Sequence, residues 1–338
     1  MVPVLIAGLI AMVAGIAIGP TFIEMLRARN LGQQIRAEGP AAHVVKQGTP
    51  TMGGLLIVAT AVIPFLLLSQ RTVEAVTVLF VMLGCSAIGF ADDYLKLRRR
   101  HSLGLPGRWK MVALVVVTGV TALLLNETAA FDTSIYLPVA GWDLDLGPLY
   151  YAFLFVVIAG TVNGANLTDG IDGLAAGTAT IMLLTFLAIV GISWLRSGPP
   201  GERSDVYLDL ATLAAALIGG TIAFLWYNAF PAEVFMGDTG SMALGGAIAG
   251  FAVVTGTEIL LLLIGAIFVI EVLSLIIQVV SFRRTGRRVF LMAPIHHHFE
   301  MKAWSETKVM VRFWIVCAIF CASGFALFYR DFLRFVGG

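Results

Sequence analysis

Gly89-Phe90-Ala91-Asp92-Asp93-Tyr94-Leu95-Lys96-Leu97-Arg98-Arg99-Arg100 decides how this chain is read. Two adjacent carboxylates close an apolar run that begins near residue 72, and cations follow at once. A helix over 72 to 91 has the ~20 residues needed to cross a hydrocarbon core. Its last carbonyls carry partial negative charge, so Asp92 and Asp93 stand where the helix dipole disfavours them. Lys96 follows them at helical spacing and shares a face with both. One ammonium does not neutralise two carboxylates, whereas a divalent ion would. Hard oxygen ligands of this kind suit Mg²⁺ held jointly with phosphates and water. The plainer alternative is a solvated Asp-Asp pair fringed by stop-transfer arginines.

The remaining sequence favours a membrane setting. Of 338 residues, 59% are hydrophobic and only 13% charged, about half the ~25% charged fraction of a soluble domain. The chain is expected to be an all-α integral membrane protein forming one polytopic domain over 1–338. A net charge of +1 gives no basic field for nucleic acid. Cys85, Cys317 and Cys321 lie inside apolar runs, as small buried hydrophobes rather than a disulfide frame. No Lys or Arg precedes the first apolar run, which therefore reads as a retained span rather than a signal peptide.

Ten spans are expected, near 2–23, 51–69, 72–91, 111–125, 149–166, 173–195, 207–228, 241–257, 259–281 and 309–329, the fourth and eighth being short. Segments 24–50, 95–110 and 282–312 hold 17 of the 22 lysines and arginines. The positive-inside rule makes these segments cytoplasmic and both termini external. Alternation then assigns the connections at 167–172 and 229–240 to the cytoplasm as well. Asp92, Asp93, Asp169, Asp172 and Asp238 thereby gather on one face, with His43, His101, His296, His297 and His298. The expected active site opens to the cytoplasm.

Four further stretches carry candidate chemistry. Lys46 precedes Pro50-Thr51-Met52-Gly53-Gly54 and can offer an ammonium to a phosphate, although the stretch also reads as a plain turn. The run from Asn163 to Gly177 contains Asn166, Asp169 and Asp172. Helix capping and glycine packing explain one aspartate and two glycines. They leave Asn163, Asn166 and a second aspartate idle where idle polar groups are costly. Asn and Asp together supply the donors and acceptors of a nucleobase edge. In Phe235-Met236-Gly237-Asp238-Thr239-Gly240-Ser241, a turn can expose one carboxylate beside several amide groups, and Phe235 is either core or a stacking face for a base. Within Pro294-Ile295-His296-His297-His298-Phe299-Glu300, three consecutive histidines cannot all face one metal from a helix, so phosphate contact or proton transfer suits them better than zinc. Glu271, inside the ninth span, requires a partner.

In this order, Ala91-Asp92-Asp93-Tyr94-Leu95-Lys96, the Asn163 to Ala176 stretch, Phe235 to Ser241 and Ala293 to Glu300 resemble the motifs of the polyprenyl-phosphate N-acetylhexosamine-1-phosphate transferases. The histidine motif and Pro50 to Gly54 resemble the bacterial branch that uses UDP-MurNAc-pentapeptide. The resemblance implies a ten-helix enzyme of the bacterial inner membrane. Such an enzyme transfers phospho-MurNAc-pentapeptide to undecaprenyl phosphate with Mg²⁺, giving lipid I and UMP. It implies catalytic roles for Asp92, Asp93, Asp238 and His296, with Asp238 as metal ligand. It places Lys46, Asn166, Asp169, Asp172 and Phe235 at the nucleotide, and Lys96, Asn163, His297 and His298 are read as further substrate contacts. Homodimers occur in the family, so a second copy is an expected partner. Whether the lipid phosphate attacks directly or an aspartate first forms a covalent intermediate stays open. A UDP-N-acetylglucosamine transferase and, more distantly, a secondary transporter are the competing readings; transport sites lie near the bilayer midplane rather than at one edge.

Overall fold

The structure, a computed structural model, describes residues 1–29, 48–99, 104–128 and 131–336. Lys46, His43 and His101 lie outside the described residues. The described elements are α1 (Val2–Ala28), α2 (Gly54–Leu68), α3 (Val73–Arg99), α4 (Gly107–Asn126), β1 (Ser134–Leu137), β2 (Trp142–Asp145), α5 (Leu149–Thr168), α6 (Leu174–Arg196), α7 (Asp205–Asn228), α8 (Gly237–Val254), α9 (Leu261–Ile264), α10 (Ala266–Thr285), α11 (Ile295–Glu300) and α12 (Glu306–Val336).

Nine of these helices are long and apolar enough to cross a membrane, against ten expected. The shortfall is α2, with 15 residues. Its expected first turn is instead irregular, with Met52 at φ 73°, and pairs with the approach to α8. Gly53 and Gly54 donate their N–H groups to the carbonyls of Phe235 and Met236, each at 2.9 Å, and Phe235 N–H returns a bond to Pro50 at 2.8 Å. At the other end, buried Asp209 accepts N–H from Gln70 and Thr72 and holds the chain out of helix before α3. The expected ninth span is broken at Gly265 into α9 and α10. The expected Gly-Asp-Thr-Gly turn is the first turn of α8, so the eighth span begins at Gly237. Residues 126–148, expected only as an acidic outer connection, contain the antiparallel hairpin β1–β2, which pairs Ser134 with Asp145 and Leu137 with Trp142.

Helices α6, α7 and α8 are the most buried, whereas α1, α4, α10 and α12 leave most of their apolar residues uncovered. Leu5, Val116, Ile277 and Ile319 are among the exposed side chains. A helix apolar on its outer face as well as its inner one fits lipid rather than water.

Close contacts set the directions of the helices. Along α1, Gly8 abuts Ala215, Gly15 abuts Ala223 and Gly19 abuts the Tyr227 ring, so α1 and α7 run parallel. Trp314, early in α12, packs on Gly177, early in α6, while Arg330 near the end of α12 donates to the Pro138 carbonyl of the hairpin at 2.5 Å. The start of α1 and the end of α12 therefore lie at the hairpin end of the bundle. The ends of α3 and α5 and the starts of α4 and α8 meet at the opposite end.

Candidate active site

The carboxylates of Asp92, Asp93 and Asp238 come together at that opposite end, each offering an oxygen within 4.8 Å of the others. Glycine permits α8 to meet both α3 and α2. A Cβ on Gly89 would lie 2.1 Å from the Asp238 carbonyl oxygen, and one on Gly54 would lie 2.1 Å from the Gly240 Cα.

Asp93 is the N-terminal anchor of α8. Its carboxylate accepts the N–H groups of Asp238 and Thr239, at 3.1 and 2.9 Å, and the Thr239 hydroxyl at 2.7 Å. The electrostatic problem posed by the sequence is thus resolved from outside α3. The third span, expected to end near residue 91, runs as α3 to Arg99, nearly two turns past Asp93, so its own end dipole bears little on Asp93, whereas the exposed amides and positive dipole end of α8 favour it. Asp92 is held differently. Lys96 approaches one oxygen at 2.5 Å, and the other takes Lys110 at 3.1 Å and the Leu105 N–H at 2.6 Å. Asp238, in the first turn of α8, meets Lys110 at 2.8 Å and Lys96 at 3.2 Å through one oxygen, and accepts Asn166 Nδ2 at 2.9 Å through the other. Asn166 also donates to Ser241 Oγ at 3.0 Å.

Three carboxylates thus face two ammonium groups, and Asp238 is the most accessible of the three acids. An all-oxygen donor set with an excess negative charge suits a hard divalent cation such as Mg²⁺. The residues fit that ion.

The α5–α6 turn adjoins this cluster. Asp169 caps α5, and burial together with the charges of Asp238, Asp93 and Asp172 holds its carboxyl well above the usual carboxylate range. Asp172 is buried and accepts the Ala232 N–H at 3.1 Å. Asn163 does not face the cluster through its amide nitrogen, which bonds back to the Ala159 carbonyl in its own helix at 2.7 Å. Phe235 is half-buried, its backbone bridging Pro50 and Gly53.

The histidines separate. His296 is fully buried against Gly170, with Nδ1 3.1 Å from Glu271 Oε1. His297 Nδ1 lies 2.6 Å from Glu300. His298 Nδ1 accepts the Leu291 N–H at 3.1 Å, a backbone tether; burial and the nearby Lys302 charge keep this imidazole below its usual pKa, as an acceptor requires. Donor atoms of His296, His297 and Glu300 also fall within 4.8 Å of one another. The separate pairing of His296 with Glu271 and of His297 with Glu300 accounts for them without a metal.

Two residues of this region escaped the sequence reading. Lys110 entered only as one more cytoplasmic charge, and its place three residues into α4 was the available signal. Asn228 ends α7, accepts the Gly173 N–H at 2.9 Å and donates to Val234 O at 2.9 Å, tying the α5–α6 turn to the approach of α8. Nothing local in the sequence marks it.

A membrane bundle with acids and lysines drawn from three helices at one end is the architecture of an integral-membrane transferase, and residues 75–256 match the glycosyl transferase family 4. Residues 46–58 match the first signature of the phospho-N-acetylmuramoyl-pentapeptide-transferases. Proteins of that name from Corynebacterium jeikeium and Frankia casuarinae are 42% and 44% identical, each comparison covering 99% of both chains. Another from Rubrobacter xylanophilus is 42% identical over 97% of this chain and 98% of its own. The chain belongs to the phospho-N-acetylmuramoyl-pentapeptide-transferase family.

Proposed function

We propose that this protein transfers phospho-MurNAc-pentapeptide from UDP-MurNAc-pentapeptide to undecaprenyl phosphate, producing lipid I and UMP. The cluster of Asp92, Asp93, Asp238, Lys96 and Lys110 carries the reading. Transfer between phosphates requires charge neutralisation and in-line placement more than elaborate covalent chemistry. A cluster at one end of the bundle allows a soluble nucleotide and a lipid phosphate to meet.

In this reading an oxygen of the lipid phosphate attacks the β-phosphorus of the UDP-sugar, and the bond from that phosphorus to the bridging oxygen breaks. UMP leaves with the electron pair. Mg²⁺, held by Asp238 with help from Asp92, would supply Lewis-acid neutralisation of the phosphate oxygens. Lys96 and Lys110 neutralise further negative charge and join Asp92 to Asp238. Asp92 orients the incoming phosphate or takes its proton. Asp93 has both oxygens committed to the α8 amides, which favours direct attack over an Asp93-phosphosugar intermediate. Asn166, Asp169, Asp172, Phe235 and Lys46 are assigned to the uridine and its phosphates, and His296 and His297 to the sugar-phosphate side. Asn163 and His298, with their nitrogen bonds already made to backbone, support the site rather than the ligand.

The same proposal places residues 1–338 in one catalytic domain of the cytoplasmic membrane, with α2 as a short tenth crossing. The site then faces the cytoplasm, the termini face outward, and two copies form a homodimer. Introduced cysteines at 283–291 should be shielded from an impermeant thiol reagent in intact cells, while ones at 138–143 should be labelled; the opposite pattern would reverse the sidedness. For the reaction, purified protein with Mg²⁺ and undecaprenyl phosphate should release UMP from UDP-MurNAc-pentapeptide and not from UDP-N-acetylglucosamine. Release from the second substrate alone would select the related transferase instead.

A further inference from the structure

Glu271 and His296 are both 0% exposed, and nothing in the carboxylate cluster accounts for them. Glu271 is in α10, a helix whose neighbouring side chains are apolar, and His296 is the one buried histidine of α11. Their side chains approach to 3.1 Å between Oε1 and Nδ1. No other polar partner serves either side chain among the described residues. A carboxyl group at membrane depth is costly without a partner. Each member of the pair is therefore tolerable because the other is present.

The far side of the imidazole meets the α5–α6 turn. A Cβ on Gly170 would lie 2.3 Å from Nε2 and 3.0 Å from Cε1, so glycine leaves the space that the ring fills. Gly170 stands between Asp169 and Asp172, the acids beside the Asp238 cluster. Nδ1 thus lies 3.1 Å from Glu271 Oε1, a close charge contact outside hydrogen-bond alignment, while Nε2 faces the turn with no protein partner.

A carboxylate only accepts hydrogen bonds. Its presence at Nδ1 favours a proton on that nitrogen, fixing which ring atom faces the opposite side. Glutamine at the same place could donate as well as accept, and would let the ring turn over or adopt the other tautomer. We infer that Glu271 is a positioning residue of the transfer reaction. It acts through His296 by fixing the proton on Nδ1 and presenting Nε2 to the anionic substrate at the 169–172 turn. The inference rests on the proposal that this turn and the adjoining cluster bind the UDP-sugar.

The test compares wild type, Glu271→Gln, His296→Ala and the double variant, using UMP release for kcat and KM and thermal unfolding in detergent for stability. Wild-type release from UDP-MurNAc-pentapeptide tests the underlying reaction separately. Glu271→Gln should lower kcat roughly a hundredfold, the scale of a positioned proton-handling group. The KM for the UDP-sugar should stay within about threefold, since the lost interaction matters chiefly in the transition state. In the His296→Ala background the same change should lower kcat by less than about twofold, because residues acting as a unit are not additive. A retained kcat in Glu271→Gln, or an equal further loss in the His296→Ala background, would overturn the inference.

Gly170→Ala supplies the second arm should Glu271→Gln not fold. Its methyl group displaces Nε2 while leaving Glu271 in place, and it should reproduce the kcat loss. Turnover within threefold of wild type in Gly170→Ala would likewise overturn the inference.

Discussion

The carboxylate cluster and the histidine segment reach the same α5–α6 turn from two sides and are built in opposite ways. Asn166 at the end of α5 donates to Asp238, while His296 packs against Gly170, the second residue of the connection. In the cluster, charges of both signs compete for one another. Lys96 and Lys110 each reach both Asp92 and Asp238. Such an arrangement can exchange partners when a phosphate or cation arrives, because no single pairing exhausts it. The histidine segment offers no such choice. Its polar contacts include Glu271 for His296, Glu300 for His297 and the Leu291 amide for His298, with the rings of His296 and His297 packed on each other. One region is arranged to redistribute charge, and the other to hold a shape.

The sharpest way to break this contrast is at Asp238. Asp238→Asn should lower turnover by at least a thousandfold, since it removes the most accessible hard-oxygen ligand and leaves two lysines facing one fewer acid. Unfolding temperature should change little, because the anchor of α8 is Asp93. Chelator should inactivate wild type, and added Mg²⁺ should restore it. Turnover within tenfold of wild type, a loss of only ~1.4 kcal/mol, would remove Asp238 from the metal site and the cluster from the chemistry.

Lys110→Met should come next, with a loss of roughly a hundredfold in kcat. Methionine keeps most of the apolar stem and removes the ammonium that joins Asp92 to Asp238. If the cluster redistributes charge, raised Mg²⁺ should partly compensate, so activity should be recorded across a magnesium titration. A loss independent of Mg²⁺ would make Lys110 a fixed structural tie, similar in character to the histidine side.

These two residues also mark where sequence reading reached its limit. The Asp92–Lys96 contact follows from helical spacing alone and is present at 2.5 Å. The apolar spans were legible because hydrocarbon imposes a length and a composition on any helix that crosses it. Contacts such as Asp93 with the α8 amides, Lys110 with Asp238 and Glu271 with His296 join residues 25 to 146 positions apart. No periodicity encodes such pairs. The irregular entry to α2 was missed for a related reason, since an apolar stretch beginning at Thr51 looks helical until the backbone of Phe235 and Met236 competes for its amides. Asn163 shows the opposite case, a local contact that sequence leaves unmarked: its amide nitrogen bonds to the preceding helical turn.

Phe235→Ala should have an intermediate effect, confined to nucleotide affinity. Stacking of a base on an aromatic ring is worth ~1 to 3 kcal/mol, so calorimetric titration should show UMP binding weakened about tenfold or more. Asp92→Asn should leave that affinity within about threefold while lowering turnover strongly. Equal losses of affinity in the two variants would merge nucleotide recognition with the charge cluster.

The smallest effect is expected at His298, and it tests the other half of the comparison. The sequence suggested a substrate contact here, yet the structure uses Nδ1 to accept the Leu291 amide. The segment before α11 is tethered a second time, by Gln278 of α10, whose side-chain oxygen accepts the N–H groups of Val289 and Phe290 and whose nitrogen donates to the Phe290 carbonyl. Removing one of these ties in His298→Ala should cost about 1 kcal/mol, the net worth of a single hydrogen bond, because the Gln278 bonds remain. Turnover and UMP affinity should stay within about threefold, while amide exchange at Leu291 should accelerate as its acceptor is lost. A kcat loss of a hundredfold at unchanged exchange would instead place His298 on the substrate, and the histidine segment would then share in the charge exchange that the comparison reserves for the carboxylates.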